Sequence, residues 1–217
     1  VPVPASIPLP IAAVLSCAIG TGYHALRRAG LRLGDTVVVT AASGGVGIHT
    51  LKLARLMGLR AIAVTSSPAK VEAVTAAGAT DVVVSPDFAF HGQIRTLTGG
   101  RGADAVIEIA GTRTFPSSMR CLRGGGRLIM VGNVEPGHVA LNPALSILKE
   151  IDILGSAHAT VSDLEAVIRL VADGAIAPEI AATLPLEQAA DAHRMMEQRA
   201  TTGRVVLLHD AGEASGA

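Results

Sequence analysis

The residues best suited to chemistry lie in one short stretch, Thr36 to Gly47, reading TVVVTAASGGVG. Its closing run, Ser43, Gly44, Gly45, Val46 and Gly47, is a glycine-rich turn. Glycines lack a Cβ, so the backbone can come close to a pyrophosphate. A helix starting just after such a turn offers unpaired N–H groups and a partial positive charge to the same anion. The flanks supply the elements this needs. Val37, Val38 and Val39 form an apolar, β-branched run suited to a strand buried on both faces. His49–Met57 continues at helical spacing, and a second strand, Ala61–Thr65, follows about twenty residues after the turn. The chemistry indicated is the binding of a dinucleotide. A bare structural hinge would not need three glycines.

The end of the second strand selects the nucleotide. A free ribose 2′-hydroxyl usually meets an Asp or Glu there. This chain reads Thr65-Ser66-Ser67-Pro68-Ala69-Lys70, with no carboxylate before Glu72. Hydroxyl donors with one Lys suit a 2′-phosphate, which a carboxylate would repel, so NADP(H) is favoured over NAD(H). The plainer account, a helix N-cap by Ser66 or Ser67 beside a solvated Lys, is compatible with it. Three further strand tips face the same crevice: Glu108 to Gly111, Val131 to Asn133, and Gly155 to His158. They nominate Ala110, Gly111, Val131, Gly132, Asn133, Ser156 and Ala157 as cofactor contacts, against the simpler reading of strand-ending turns.

The elements that must position these residues follow in order. Val1–Pro10 alternates proline with apolar residues and reads as an extended, helix-free linker from an upstream domain. Ile11–Ala29 reads as a helix ended near Gly30. Six strands alternate with helices: Thr36–Thr40, Ala61–Thr65, Asp81–Ser85, Ala105–Ile109, Arg127–Val131 and Ile151–Leu154. That alternation predicts an α/β doubly wound parallel sheet, a Rossmann fold of strand order 3-2-1-4-5-6, over residues 11–175. Ser162-Asp163, with Glu165 three residues after Ser162, reads as the capping box of a helix ending at Ala172. Residues 176–209 carry a strand, a helix and a final strand, with too little apolar surface for a domain. They are expected to belong to an incomplete catalytic domain, and residues 210–217 to a disordered tail.

Composition narrows the function further. Lys plus Arg equals Asp plus Glu, at eighteen each, so no basic patch favours nucleic acid or an anionic membrane. Every apolar run is broken by Arg, Asp or Gly, so no membrane span is expected. The two cysteines, Cys17 and Cys121, make no disulfide framework, which fits a reducing cytoplasm. The expected partners are a small-molecule substrate and further copies of the same chain. Cys17 on an apolar helix is usually a small core residue. Zinc needs three or four ligands, and no companion donors lie near it in sequence.

The chain from Pro10 to His209 resembles the medium-chain dehydrogenase/reductases. Ala41-Ala42-Ser43-Gly44-Gly45-Val46-Gly47 matches the AxxGGVG loop of their quinone and enoyl reductases. Ala76 to Asp81 and Leu122 to Arg127 are similar to family segments. Val131 to Pro136 and Ala159 to Glu165 look most like the acryloyl-CoA reductase branch. The resemblance implies an NAD(P)-dependent oxidoreductase that carries a hydride from NADPH to an activated double bond, in an enoyl-CoA or quinone-like substrate. It also implies that Cys17, before the Thr21-Gly22-Tyr23 run, holds the place of a catalytic zinc ligand in zinc-dependent members, and it adds Thr21 to the cofactor candidates. Two alternatives stay open. One is a zinc-dependent alcohol dehydrogenase, its other ligands and catalytic residues lying in an N-terminal domain upstream. The other is a nucleotide-binding module without catalysis.

Overall fold

The computed structural model describes residues 1–134 and 137–209; the expected tail lies outside them. Six parallel strands form one sheet: β1 (Thr36–Val39), β2 (Arg60–Thr65), β3 (Asp81–Val84), β4 (Ala103–Glu108), β5 (Leu122–Met130) and β6 (Asp152–Gly155). Their order, β3-β2-β1-β4-β5-β6, is the one the alternation required. The chain reverses direction across the sheet between β1 and β4, which opens a crevice at their C-terminal ends.

Side-chain alternation along the strands builds two cores. Val37 and Val39 enter one with Ala61, Ala63, Ala105 and Ile107. Val38 enters the other with Ile62, Val64, Val106 and Leu128. Fully burying a Leu or Ile contributes roughly 1.5–3 kcal/mol, and Leu51, Leu53, Ile62, Ile94 and Ile107 are all at or near zero exposure.

The first helical rod runs over Leu9–Ala29, and Gly30 ends it in the left-handed region at φ 61°. It starts as α1 (Leu9–Val14), widens into a π-turn over Leu15–Gly20 and continues as α2 (Thr21–Ala29). This corrects two expectations. Leu9 and Pro10 are helical, because proline costs nothing in a first turn whose N–H groups have no intrahelical partner. Ile7 is already buried in the core. By length and hydropathy the rod also suffices to cross a membrane, contrary to the reading of broken apolar runs. Here Leu15, Ile19, Ala25 and Leu26 bury themselves in the protein core.

After the glycine turn comes α3 (Gly45–Leu56). Then follow α4 (Val71–Ala76), α5 (His91–Leu97), α6 (Phe115–Cys121) and α7 (Pro143–Lys149). The helix α8 (Val161–Ala172) is capped by Thr160, and the box is Thr160 with Asp163. Ser162 and Glu165 were the expected pair, but Thr160 holds the extended conformation a cap needs, with φ −75° and ψ 168°. The strand β5 starts at Leu122, ahead of the expected Arg127, so Gly124 to Gly126 lie inside it, next to a register shift.

Residues 176–209 form β7 (Ile180–Pro185), α9 (Ala189–Glu197) and β8 (Arg204–Leu208), with β7 and β8 pairing as a separate parallel ribbon. This segment returns to the first glycine turn. Gly203 bridges Gly44, and the Gly203 N–H donates to the Ser43 carbonyl at 3.1 Å.

Candidate functional site

The glycine turn is built by close approach. A Cβ on Gly47 would lie 2.4 Å from the Ala41 carbonyl oxygen and 2.7 Å from Ala42 Cα. Glycine there lets α3 sit against the end of β1. For a Cβ on Gly45 the three nearest atoms instead all belong to the Arg204 side chain, with Nε at 2.4 Å and Cδ at 2.5 Å. The guanidinium stem therefore lies directly over the first turn of α3. Gly44 is the N-cap and brings no side chain of its own, so the first N–H groups of α3 remain for another acceptor.

Beside this turn opens a cleft of about 400 Å³. Ser43, Gly44 and Gly45 form its base, Thr65, Ser66, Ser67 and Lys70 one wall, and Ala110 with Arg113 and Thr114 the opposite wall. The C-terminal segment closes it with Arg199, Thr201 and Arg204. Among the described lining residues there are four cations, Lys70, Arg113, Arg199 and Arg204, and no carboxylate. Arg113 also lies over the Phe88 ring at 4.2 Å, a cation–π contact at the rim.

Eight expected contacts thus share one cleft: Ser43, Gly44, Gly45, Thr65, Ser66, Ser67, Lys70 and Ala110. Thr21 is buried on α2, and Val46 and Gly47 sit one step into α3, outside the lining. Gly111 and Gly132 lie at a close backbone approach. A Cβ on Gly111 would lie 2.9 Å from Asn133 Cα, and one on Gly132 would lie 2.1 Å from the Ile109 carbonyl oxygen. The tips of β4 and β5 interlock, and Val131 continues the second of them. Ser156 is buried at the tip of β6, its hydroxyl without a hydrogen-bond partner among the described residues; Ala157 beside it is exposed.

Lys70 is already engaged. Its Nζ donates to the Thr201 carbonyl at 3.0 Å and to Thr202 Oγ1 at 3.2 Å, so it ties the wall of the cleft to the C-terminal segment. Ser67 caps the turn after β2 by accepting the Ala69 N–H. The opposite wall is held by Glu108. Its Oε1 accepts from Thr40 Oγ1 at 2.8 Å, the Gly111 N–H at 2.8 Å and Thr114 Oγ1 at 2.6 Å, and its Oε2 accepts from Ser118. Thr40 Oγ1 in turn accepts the Ile109 N–H at 2.8 Å. We expect Glu108→Leu to lower stability by roughly 2–4 kcal/mol in urea unfolding, because several buried donors lose their acceptor at about 1–3 kcal/mol for each one left unsatisfied. Unchanged stability would show that the donors find other partners.

Cys17 lies exposed on the π-turn. Its carbonyl accepts Arg204 Nη2 at 3.3 Å. Among the described residues, no group of three His, Cys, Asp or Glu side chains gathers here or elsewhere. One thiolate is too few ligands for zinc, so the residues present do not assemble a metal site. Arg113, Arg199 and Arg204 escaped the sequence reading, since no local motif marks them. Arg199 and Arg204 join the cleft where the C-terminal segment returns, and Arg113 joins it from the loop after β4.

Residues 45–173 match the profile of a family described as zinc-binding dehydrogenase. The chain is 39% identical over 197 residues to an acryloyl-coenzyme A reductase of Metallosphaera sedula, covering 90% of this chain and 57% of that protein. The crystal structure of AibC superposes with a TM-score of 0.89 at 45% identity, covering 95% of this chain and 58% of that one. A 2-octenoyl-CoA carboxylase reductase solved with NADP and 2-octenoyl-CoA gives a TM-score of 0.89 at 30% identity, covering 99% of this chain and 53% of that one. The chain therefore spans a little over half the length of each of these three proteins.

Proposed function

The chain belongs to the zinc-binding dehydrogenase family of medium-chain dehydrogenase/reductases, and from this premise we propose that it holds NADP(H) for hydride transfer to the activated double bond of an enoyl-CoA. One observation carries the reading: a helix N-terminus without a side-chain cap opens into a cleft whose described lining has four cations and no carboxylate. That combination suits a pyrophosphate together with a third phosphate. The substrate class is supported by the relatives, an acryloyl-coenzyme A reductase and a reductase solved with 2-octenoyl-CoA.

When bound, the reduced nicotinamide supplies the hydride. The chain's own residues bind and orient. Gly44, Gly45 and the first turn of α3 receive the pyrophosphate, with Arg204 above them as its counter-charge. Thr65, Ser66 and Ser67 face the adenosine ribose. Lys70 adds positive charge there while its bonds to Thr201 and Thr202 fix the C-terminal segment. Glu108 holds the loop from Ile109 to Thr114 that forms the far wall.

The direct test mixes the protein with NADPH and acryloyl-CoA and follows the nicotinamide absorbance. Binding without turnover would favour a non-catalytic module. Cofactor choice is tested at Ser66, which is half-buried at the β2 tip. Ser66→Asp sets a carboxylate against the third phosphate and offers an acceptor to a free ribose hydroxyl. It should weaken NADPH by about ten- to a hundredfold, equivalent to a charge-assisted bond of roughly 1.5–3 kcal/mol, while NADH binding holds or improves. Equal weakening of both cofactors in calorimetric titration would remove the 2′-phosphate from this tip.

A further inference from the structure

His49 is fully buried on α3, and both of its ring nitrogens are used. Nδ1 lies 2.6 Å from the Gly45 carbonyl oxygen. Nε2 lies 2.8 Å from the Glu179 backbone nitrogen, which donates to it. A backbone N–H can only donate, so Nε2 must carry the lone pair and Nδ1 the proton. The ring is the neutral Nδ1–H tautomer, and burial, the largest influence, favours the neutral form over the protonated one. The charged groups around it are Lys52, Glu179 and Arg204.

The contacts continue past Glu179. Its carbonyl oxygen accepts the Arg204 N–H at 3.0 Å, so one residue's backbone is clamped between His49 and Arg204. Lys52 Nζ holds the same stretch by donating to the Ala177 carbonyl at 2.8 Å and Glu179 Oε2 at 2.7 Å. The Arg204 side chain then passes back over Gly45, whose carbonyl His49 already holds. Gly45, His49, Glu179 and Arg204 form a closed circuit joining segments about 130 residues apart in sequence.

We propose that His49 is a positioning residue that closes this circuit and so sets the Arg204 guanidinium over the phosphate-binding turn. The inference rests on the reading of that turn as the pyrophosphate site. His49 touches no ligand in it; it acts through Arg204. The two amide side chains separate its two bonds. Asn keeps a donor near the place of Nδ1 and loses the acceptor for Glu179. Gln places an acceptor near the place of Nε2 and loses the donor to Gly45.

The experiment is a double-mutant cycle on NADPH affinity with the full-length protein, using His49→Asn and Arg204→Met. Each single variant should weaken NADPH about tenfold, the scale of one charge-assisted contact. The double variant should be little weaker than Arg204→Met alone, because Asn has nothing further to misplace. His49→Gln should recover most of the affinity. Fully additive effects, or parent-like affinity in His49→Asn, overturn the circuit. A parent protein that binds no NADPH overturns the reading of the cleft and this inference with it, whereas normal parent binding with additive variants overturns the inference alone. If His49→Asn does not fold, nitrogen NMR of the parent decides. An Nδ1–H tautomer supports the circuit and an Nε2–H tautomer overturns it.

Discussion

Gly45→Val should give a folded protein that no longer binds NADPH. The three atoms nearest the new Cβ all belong to the Arg204 side chain, from Cγ to Nε, and a long side chain can swing away. The backbone of the turn is untouched, so stability should change by less than about 1 kcal/mol, as for most substitutions outside a packed core. Binding suffers twice. The branched side chain fills the space over the helix N-terminus, and Arg204 is displaced from it. Losing two charge-assisted contacts at roughly 1.5–3 kcal/mol each amounts to about a hundred- to ten-thousandfold in affinity. Gly47→Val is the control with the opposite signature. Its Cβ would run into the backbone of Ala41 and Ala42. Backbone cannot swing aside, so this variant should lose stability before it loses binding. Thermal unfolding and calorimetric titration of both variants separate the two roles. Near-normal affinity in a folded Gly45→Val protein would sink the assignment of the turn.

Asp163→Ala should destabilise the fold strongly and make its stability depend less on pH in acid. Asp163 is fully buried. Its Oδ1 accepts from Arg27 at 2.6 Å, and its Oδ2 accepts from the Thr160 N–H at 3.0 Å and lies 2.6 Å from His24 Nδ1. It therefore caps α8 and ties it to α2. Burial opposes the charged carboxylate, but the Thr160, Arg27 and His24 bonds outweigh it and hold the group well below the usual carboxylate range. Removing one partner of a buried pair costs roughly 3–5 kcal/mol. Arg27 is more than half exposed and rehydrates easily, so about 3 kcal/mol is expected, or roughly 6–12 °C in Tm. The pH dependence has a definite sign. The carboxylate binds its proton more weakly in the folded state, so in acid the unfolded chain takes up more protons. The contribution is complete above about pH 4 and is lost as pH falls toward the folded value. Asp163→Asn, which cannot ionise, should therefore approach the parent in stability as pH drops from 5 to 3. A stability gap that stays constant over that range would show the charge is unimportant and the packing decisive.

Features that depend on residues near one another along the chain are legible in the sequence alone. The triplet Val37 to Val39 had to be a strand buried on both faces, and its alternate side chains enter two different cores. The glycine turn after it had to lead into a helix, because strand, glycines and helical spacing follow in unbroken order. Right-handed connections between such units then left strand order 3-2-1-4-5-6 as the natural outcome. The serines at the tip of β2 reached the cleft for the same local reason.

The tertiary structure decided whatever depends on two distant segments meeting. Lys70 lines the cleft, and the return of residues 201 and 202 gives it oxygen acceptors that its local sequence does not reveal. Gly111 and Gly132 each make room for the backbone of the neighbouring strand's tip, a closeness that no spacing in the sequence shows. Thr160 took the cap from Ser162 because the chain leaves β6 extended at that residue. Arg204 carries no local signal, and it becomes a site residue only because His49 and Glu179 bring β8 back to the glycine turn. Periodicity and turn chemistry act over a few residues, so they are legible in one dimension. A hydrogen bond spanning some 130 positions is selected by three-dimensional packing, and no spacing in the sequence announces it.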